Sequence, residues 1–152
     1  MMHATALVIG SDPGKKLRLV KCLSETRLFE RVKPLKTVSA LFQHLKNRSA
    51  DIICWAIDSN ETQAEWVEQL QQHELWHDLP LVAFADNQQS LIKGFNLGAS
   101  DSLKLSTDPK ELNARLRGHL KRWQRLLDLR KSKEQLQKMA LTDPLTELGN
   151  RA

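Results

Sequence analysis

The stretch Ala50-Asp51-Ile52-Ile53-Cys54-Trp55-Ala56-Ile57-Asp58 decides how this chain of 152 residues folds. Every residue between its two aspartates is apolar, so the segment offers water no face. A half-exposed strand would alternate; a continuous run of this length marks a parallel strand buried on both sides. Such a strand needs helices above and below it, and the flanking sequence supplies them.

Upstream, Ala6-Leu7-Val8-Ile9 is a short strand closed by the loop Gly10-Ser11-Asp12-Pro13-Gly14. Leu17, Val20, Leu23 and Leu28 then mark a helical face, with Lys15, Lys16, Arg18 and Lys21 expected to turn outward. Residues 31–36 read as a second strand in which Pro34 suits a sheet edge. Residues 39–46 read as a helix with Leu41, Phe42 and Leu45 inward. Downstream, Asp58-Ser59-Asn60 ends the central strand, and residues 61–74 form a helix carrying Trp66, Val67 and Leu70. Leu81-Val82-Ala83-Phe84-Ala85 is a fourth strand, 88–97 a helix closed by Gly98, and 102–105 a last short strand. Asp108 then caps a long helix that opens at Pro109 and runs to about Leu141.

A strand and a helix thus alternate five times, at intervals of about 20 to 25 residues. That alternation predicts an α/β fold, a doubly wound parallel sheet with right-handed crossovers. Sites in such folds sit at the carboxyl ends of the strands, which selects the loops 10–14, 58–61, 85–88 and 105–108.

Composition sets bounds on the rest. The chain is 41% hydrophobic and 27% charged, as expected of a globular protein with one sizeable core. No apolar run approaches the ~20 residues of a membrane span. Met1-Met2-His3-Ala4-Thr5 lacks the basic start of a signal peptide, and Cys22 and Cys54 both lie in apolar segments, which predicts free thiols in a cytoplasmic protein. The net charge of +5 is uneven. Arg115, Arg117, Lys121, Arg122, Arg125, Arg130, Lys131 and Lys133 cluster on the last helix against Asp128 alone, whereas residues 51–78 are acidic.

The order of elements, Asp12-Pro13 after the first strand, Ala50-Asp51-Ile52-Ile53, Leu79-Pro80-Leu81-Val82 and Gly98-Ala99-Ser100-Asp101 together resemble a response-regulator receiver domain over residues 4–125. The resemblance implies a flavodoxin-like (βα)5 fold with strand order 2-1-3-4-5. It also implies a phosphoryl-accepting aspartate after the third strand, an acidic pair holding Mg²⁺, a hydroxyl after the fourth strand and a lysine after the fifth. The carboxylates would hold a hard cation against phosphoryl charge, and the hydroxyl and ammonium would contact its oxygens.

Laid on this chain, the acidic pair falls on Gly10 and Ser11, the phosphoacceptor on Ala56, the hydroxyl on Ala85 and the lysine on Leu105. Ser106 stands where a proline usually follows, and Ser102 where an aromatic switch residue would lie. Asp12, Asp58 and Lys104 each lie close to a lost position. A one-residue slip within a strand turns a side chain to the other face, so recovering three roles would need three independent slips. The expectation is a pseudo-receiver with no phosphoacceptor, no metal and no cofactor. A cryptic phosphorylation site on Asp58 or Asp12 is the alternative, weighed against a helix-capping or turn role for each.

Other constellations carry less. His73 and His77 have a metal-compatible spacing but no third ligand nearby, Trp66 and Trp76 read as packing residues, and the glycines of 10–14 fit no phosphate-binding fingerprint. On the last helix, Leu116, Leu120, Trp123 and Leu127 step by four, three and four. Leu129, Leu136 and Ala140 continue in a register shifted by one, as suits a helix that packs first on its own sheet and then on a partner helix. Its basic residues could also meet nucleic-acid phosphates, a reading disfavoured by the lack of interleaved aromatics.

Finally, Ala140-Leu141-Thr142-Asp143-Pro144-Leu145-Thr146-Glu147-Leu148-Gly149-Asn150-Arg151 resembles the opening segment of GGDEF-type diguanylate cyclase domains, with Glu147 where a glycine is usual. The resemblance implies a receiver-like domain over 1–125, a helical linker over 126–141 and the start of a cyclase domain over 142–152, whose catalytic loop would lie beyond Ala152. The expected role is regulatory and non-enzymatic, in bacterial signalling through cyclic di-GMP. A homodimer is expected through the fourth helix, fifth strand, fifth helix and the linker residues Leu116, Leu120, Trp123, Leu127, Leu129 and Leu136. A signalling protein could also bind there.

Overall fold

The computed structural model describes residues 3–60 and 64–142. Five strands, β1 (Ala4–Ile9), β2 (Phe29–Pro34), β3 (Ile52–Ala56), β4 (Leu81–Ala85) and β5 (Asp101–Lys104), form one parallel sheet in the order β2-β1-β3-β4-β5. The helices are α1 (Pro13–Glu25), α2 (Val38–Asn47), α3 (Glu65–Gln72), α4 (Gln88–Asn96) and α5 (Pro109–Thr142). This is the flavodoxin-like receiver fold with an extended C-terminal helix.

The pleat of β3 explains the two layers. Ile52, Cys54 and Ala56 face one way, into a cluster with Leu19 and Leu23 of α1 and with Leu112, Leu116 and Leu120 of α5. Ile53, Trp55 and Ile57 face the other way, among Leu41 and Leu45 of α2 and Val67 and Leu70 of α3. All five residues of β3 are buried, as its unbroken apolar run requires. Cys54 lies inside the core, where burial pushes its thiol pKa far up and leaves it inert, while Cys22 is half-buried.

Helix α5 belongs to both layers. Leu112, Leu116 and Leu120 cover the α1 side, and then Trp123, with Leu126 and Leu127 beside it, joins the α2–α3 side. The helix therefore crosses below the sheet at the amino ends of the strands. Burying each of these large side chains stabilises the fold by ~1.5–3 kcal/mol.

Several boundaries differ from those expected. β2 starts at Phe29 rather than residue 31, because Phe29 is apolar enough to enter the core and pairs with Ala4. α1 starts at Pro13, inside the expected loop, because Asp12 accepts hydrogen bonds from the Gly14 and Lys15 amides at 2.8 and 3.4 Å. α3 stops at Gln72, and His73 turns extended. β5 runs one residue earlier than expected and leaves Leu105 just past its end.

One partly buried ionic network ties α5 to the sheet. Asp101, at the start of β5, accepts from His119 Nε2 at 3.0 Å, from Arg115 at 3.3 Å and from the Ser102 amide at 2.9 Å. Burial opposes ionisation of Asp101, but the His119 hydrogen bond, the Ser102 amide and the neighbouring positive charges outweigh it and hold the carboxyl below its ordinary range. A depressed carboxyl stabilises the fold above its unfolded-state pKa, and that contribution disappears as pH falls through the lower folded value. Asp101→Asn should therefore lower unfolding free energy by about 1–2 kcal/mol at neutral pH, and urea titrations at pH 7 and below pH 4 should show the gap to the unaltered chain closing in acid.

Candidate functional site

The sheet register brings the carboxyl ends of the strands onto one rim. Ala56 pairs with Phe84 and Ala85 with Lys104, and the Leu105 amide donates to the Ala85 carbonyl at 2.9 Å. Gly10 and Ser11 follow β1 on the same rim, so the five positions singled out by the receiver resemblance do meet. Ser11 is exposed, Ala56 and Ala85 are buried, and Leu105 lies half-buried against the α1–α5 layer. Gly10 is packed tightly against β3: a Cβ built on it would stand 2.9 Å from the Ala56 carbonyl oxygen and 3.0 Å from the Ala56 Cβ.

The charge on this rim comes from other residues. Lys15, expected to face outward, turns inward from the first turn of α1. Its ammonium lies 3.0 Å from Asp86 and 3.6 Å from Asp58, which sit just beyond β4 and β3. The physical reason is the early start of α1: with Asp12 as its cap, Lys15 falls on the turn that faces the two loops. The hydrogen bond to Asp86 outweighs partial desolvation and, with the charges of Asp86, Asp58 and Asp12, raises the Lys15 pKa. Asp58 is held below its ordinary range, since the Asn60 amide and the Lys15 charge outweigh the desolvation that opposes ionisation. Arg18 adds a longer contact to Asp86 at 3.5 Å. Lys16, also expected outward, donates to the Leu35 carbonyl at 3.2 Å.

The candidates Asp12 and Asp58 thus both have structural employment, as a helix cap and as an ion-pair partner. The Lys15 ammonium stands between the Asp58 and Asp86 carboxylates on the rim next to these positions. Among the described residues no group of three or more His, Cys, Asp or Glu could hold a metal. His73 stacks on Trp76 with ring centroids 3.7 Å apart, and its Nδ1 accepts from the Leu75 amide. Trp66 and Trp76 pack edge-on against Trp55 and tilted on Phe42, respectively.

Ser102, at the aromatic switch position, is buried and donates to the Leu91 carbonyl of α4 at 2.7 Å. Gly94 of α4 has no room for a side chain, since its Cβ would lie 2.7 Å from Ser102 Oγ and 2.8 Å from Ala83 Cβ. α4 is seated directly on β4 and β5, and its outer side exposes Ile92 and Phe95.

The seam residues on α5 divide into two sets. Leu116, Leu120 and Trp123 are buried in the chain's own core and are withdrawn from any partner, and Leu127 is half-buried against it. Leu129 and Leu136 are each 66% exposed. The GGDEF-like segment lies almost wholly outside the described residues. No described helix is long and apolar enough to cross a membrane.

No family model matches the chain. Over 84 residues, 54% of the chain, it is 32% identical to the response regulator PleD of Caulobacter vibrioides, and the match covers 18% of that protein. Among solved structures it superposes on the N-terminal domain of a response regulator/sensory box/GGDEF three-domain protein from Carboxydothermus hydrogenoformans. There the TM-score is 0.60 at 16% identity, over 81% of this chain and 98% of that one. A CheY-like receiver domain protein from Methanospirillum hungatei gives a TM-score of 0.57, also at 16% identity, over 81% and 98%. A sensor protein from Polaromonas gives 0.63 at 16% identity, over 79% and 98%. These likenesses establish the receiver fold.

Removing the Lys15 ammonium should release its partners. In Lys15→Gln the Asp58 carboxyl pKa should rise toward the ordinary aspartate range, as read by carbon-detected NMR titration; an unmoved Asp58 would show that the ammonium does not control this rim.

Proposed function

We propose that this receiver-fold chain is a non-catalytic regulatory module that acts by association rather than by accepting a phosphoryl group, and that it belongs to a longer diguanylate-cyclase protein. The observation that carries the reading is the pair Leu129 and Leu136, seven residues apart and exposed on the part of α5 that continues past the domain. Leu residues at that spacing on a protruding helix form one seam of a two-stranded coiled coil. Leu126 precedes Leu129 by three residues and extends the seam back to the domain.

Three further observations support it. The carboxylates that phosphoryl transfer needs are replaced at Gly10, Ser11 and Ala56, and the nearby Asp58 is already paired with Lys15. α4 presents Ile92 and Phe95 on the flank where a second copy would lie against α4, β5 and α5. The segment 140–151 resembles the start of a GGDEF domain, and the name of one structural neighbour includes such a domain. Joining two copies through α5 would bring two downstream domains together, which is what a reaction between two GTP molecules requires. Arg115 and Arg130 are spent on contacts within the domain, which weakens the nucleic-acid reading of the basic helix.

Two measurements test this. Light scattering should give a dimer for the unaltered chain and a monomer for Leu129→Glu/Leu136→Glu with unchanged circular dichroism; a monomer in both cases removes the association reading. Incubation with acetyl phosphate and Mg²⁺ should leave the intact mass unchanged, and a gain of one phosphoryl group would restore the alternative on Asp58 or Asp12.

A further inference from the structure

We propose that the groove below the sheet, where α5 leaves the domain, binds a small amphipathic anion: a carboxylate or sulfonate on an aromatic or branched aliphatic body. The groove has a volume of about 520 Å³ and is walled by the α2–β3 connection, the α3–β4 connection and α5. That volume lies within the ~300–1,000 Å³ of small-molecule sites. It is at the opposite end of the strands from the emptied receiver rim.

The chemistry of the walls selects the ligand class. Ala50, Leu79, Trp123 and Leu127 supply an apolar floor. Around it stand Lys46, Arg48, Arg130 and Lys131, against the carboxylates of Asp51 and Glu134. The Asp51 carboxylate accepts from the Thr5 amide at 2.9 Å, which fixes its position and leaves its charge, so four cations face two carboxylates. Lys46, Arg48 and Lys131 are exposed and form no ion pair among the described residues. The groove therefore combines an apolar base with an unbalanced positive rim, which suits a ligand having one apolar and one anionic end.

A second, independent feature points the same way. The indole N–H of Trp123 is buried and has no hydrogen-bond acceptor, although the residue is only 6% exposed. A buried donor left unpaired is unfavourable, and an arriving acceptor would satisfy it. The Arg130 guanidinium lies over this indole, 5.5 Å from the ring centroid, and donates to the Leu75 carbonyl and toward Asp78. An anion entering the groove meets Arg130 first, and as that side chain turns to it the indole beneath is opened. Because α5 forms one wall, occupancy is transmitted to the helix that continues to Thr142.

The site stands apart from the association reading, and its test reads binding alone. The probes are 8-anilino-1-naphthalenesulfonate and its neutral analogue N-phenyl-1-naphthylamine, titrated against the chain of residues 1–152. The expected result is one saturable site for the sulfonate, with the Trp123 indole resonance shifting along the same isotherm in nitrogen–proton correlation spectra. Arg48→Glu/Lys131→Glu should weaken the sulfonate at least about tenfold, equal to ~1.4 kcal/mol, and leave the neutral analogue unaffected. An unmoved Trp123 resonance at saturation, equal affinity for the two probes, or shifts confined to Ile92 and Phe95 would overturn the proposal. Should the double variant fail to fold, the Trp123 resonance of the unaltered chain decides.

Discussion

The structure depends on one helix closing two cores. α5 covers the α1 side of the sheet with Leu112, Leu116 and Leu120, and then sends Trp123 beneath the sheet to the other side. A helix tied to both layers cannot shift along its axis without disturbing each of them. The Asp101–Arg115–His119 network adds a polar lock at one point of this crossing, and Arg130 adds another lower down. The direction in which the helix leaves the domain is thereby set by the packing of the whole domain.

This arrangement makes the two ends of the sheet unlike. At the carboxyl ends, Gly10 is packed against Ala56 and the Lys15 ammonium bridges the Asp58 and Asp86 carboxylates. At the amino ends, the walls stand apart, and among the described residues Lys46, Arg48 and Lys131 form no ion pair and the Trp123 indole has no acceptor. Paired charges thus lie at the end that carries chemistry in related folds, and the unpaired cations and indole of the described residues lie at the other.

Much of this was legible in the residues. The continuous apolar run at Ile52-Ile53-Cys54-Trp55-Ala56 required a strand covered on both faces, and the recurring strand-helix spacing required the parallel sheet. Gly10, Ser11, Ala56, Ala85 and Leu105 share one end of the sheet, because parallel strands place their carboxyl ends on the same side. What could not be read was tertiary. Lys15 looked solvated because its partners, Asp58 and Asp86, are distant in sequence. Their common placement just past strand ends was the signal that could have joined them. Leu116 and Leu129 looked alike as seam residues, since periodicity alone does not tell a helix face covered by its own domain from one left open.

The contact between Gly10 and Ala56 limits what this rim can carry. With 2.9 Å between a would-be Cβ on Gly10 and the Ala56 carbonyl oxygen, the backbone has settled into the space an acidic side chain would need. Putting an aspartate back at position 10 would meet a steric penalty before it could recruit any cation. Putting one back at position 56 would place a carboxylate in a buried spot with no metal to balance it. Either substitution alone is therefore expected to destabilise the domain. A carboxylate pair can be accommodated at this rim only if the backbone at Gly10 and the side chain at position 56 change together.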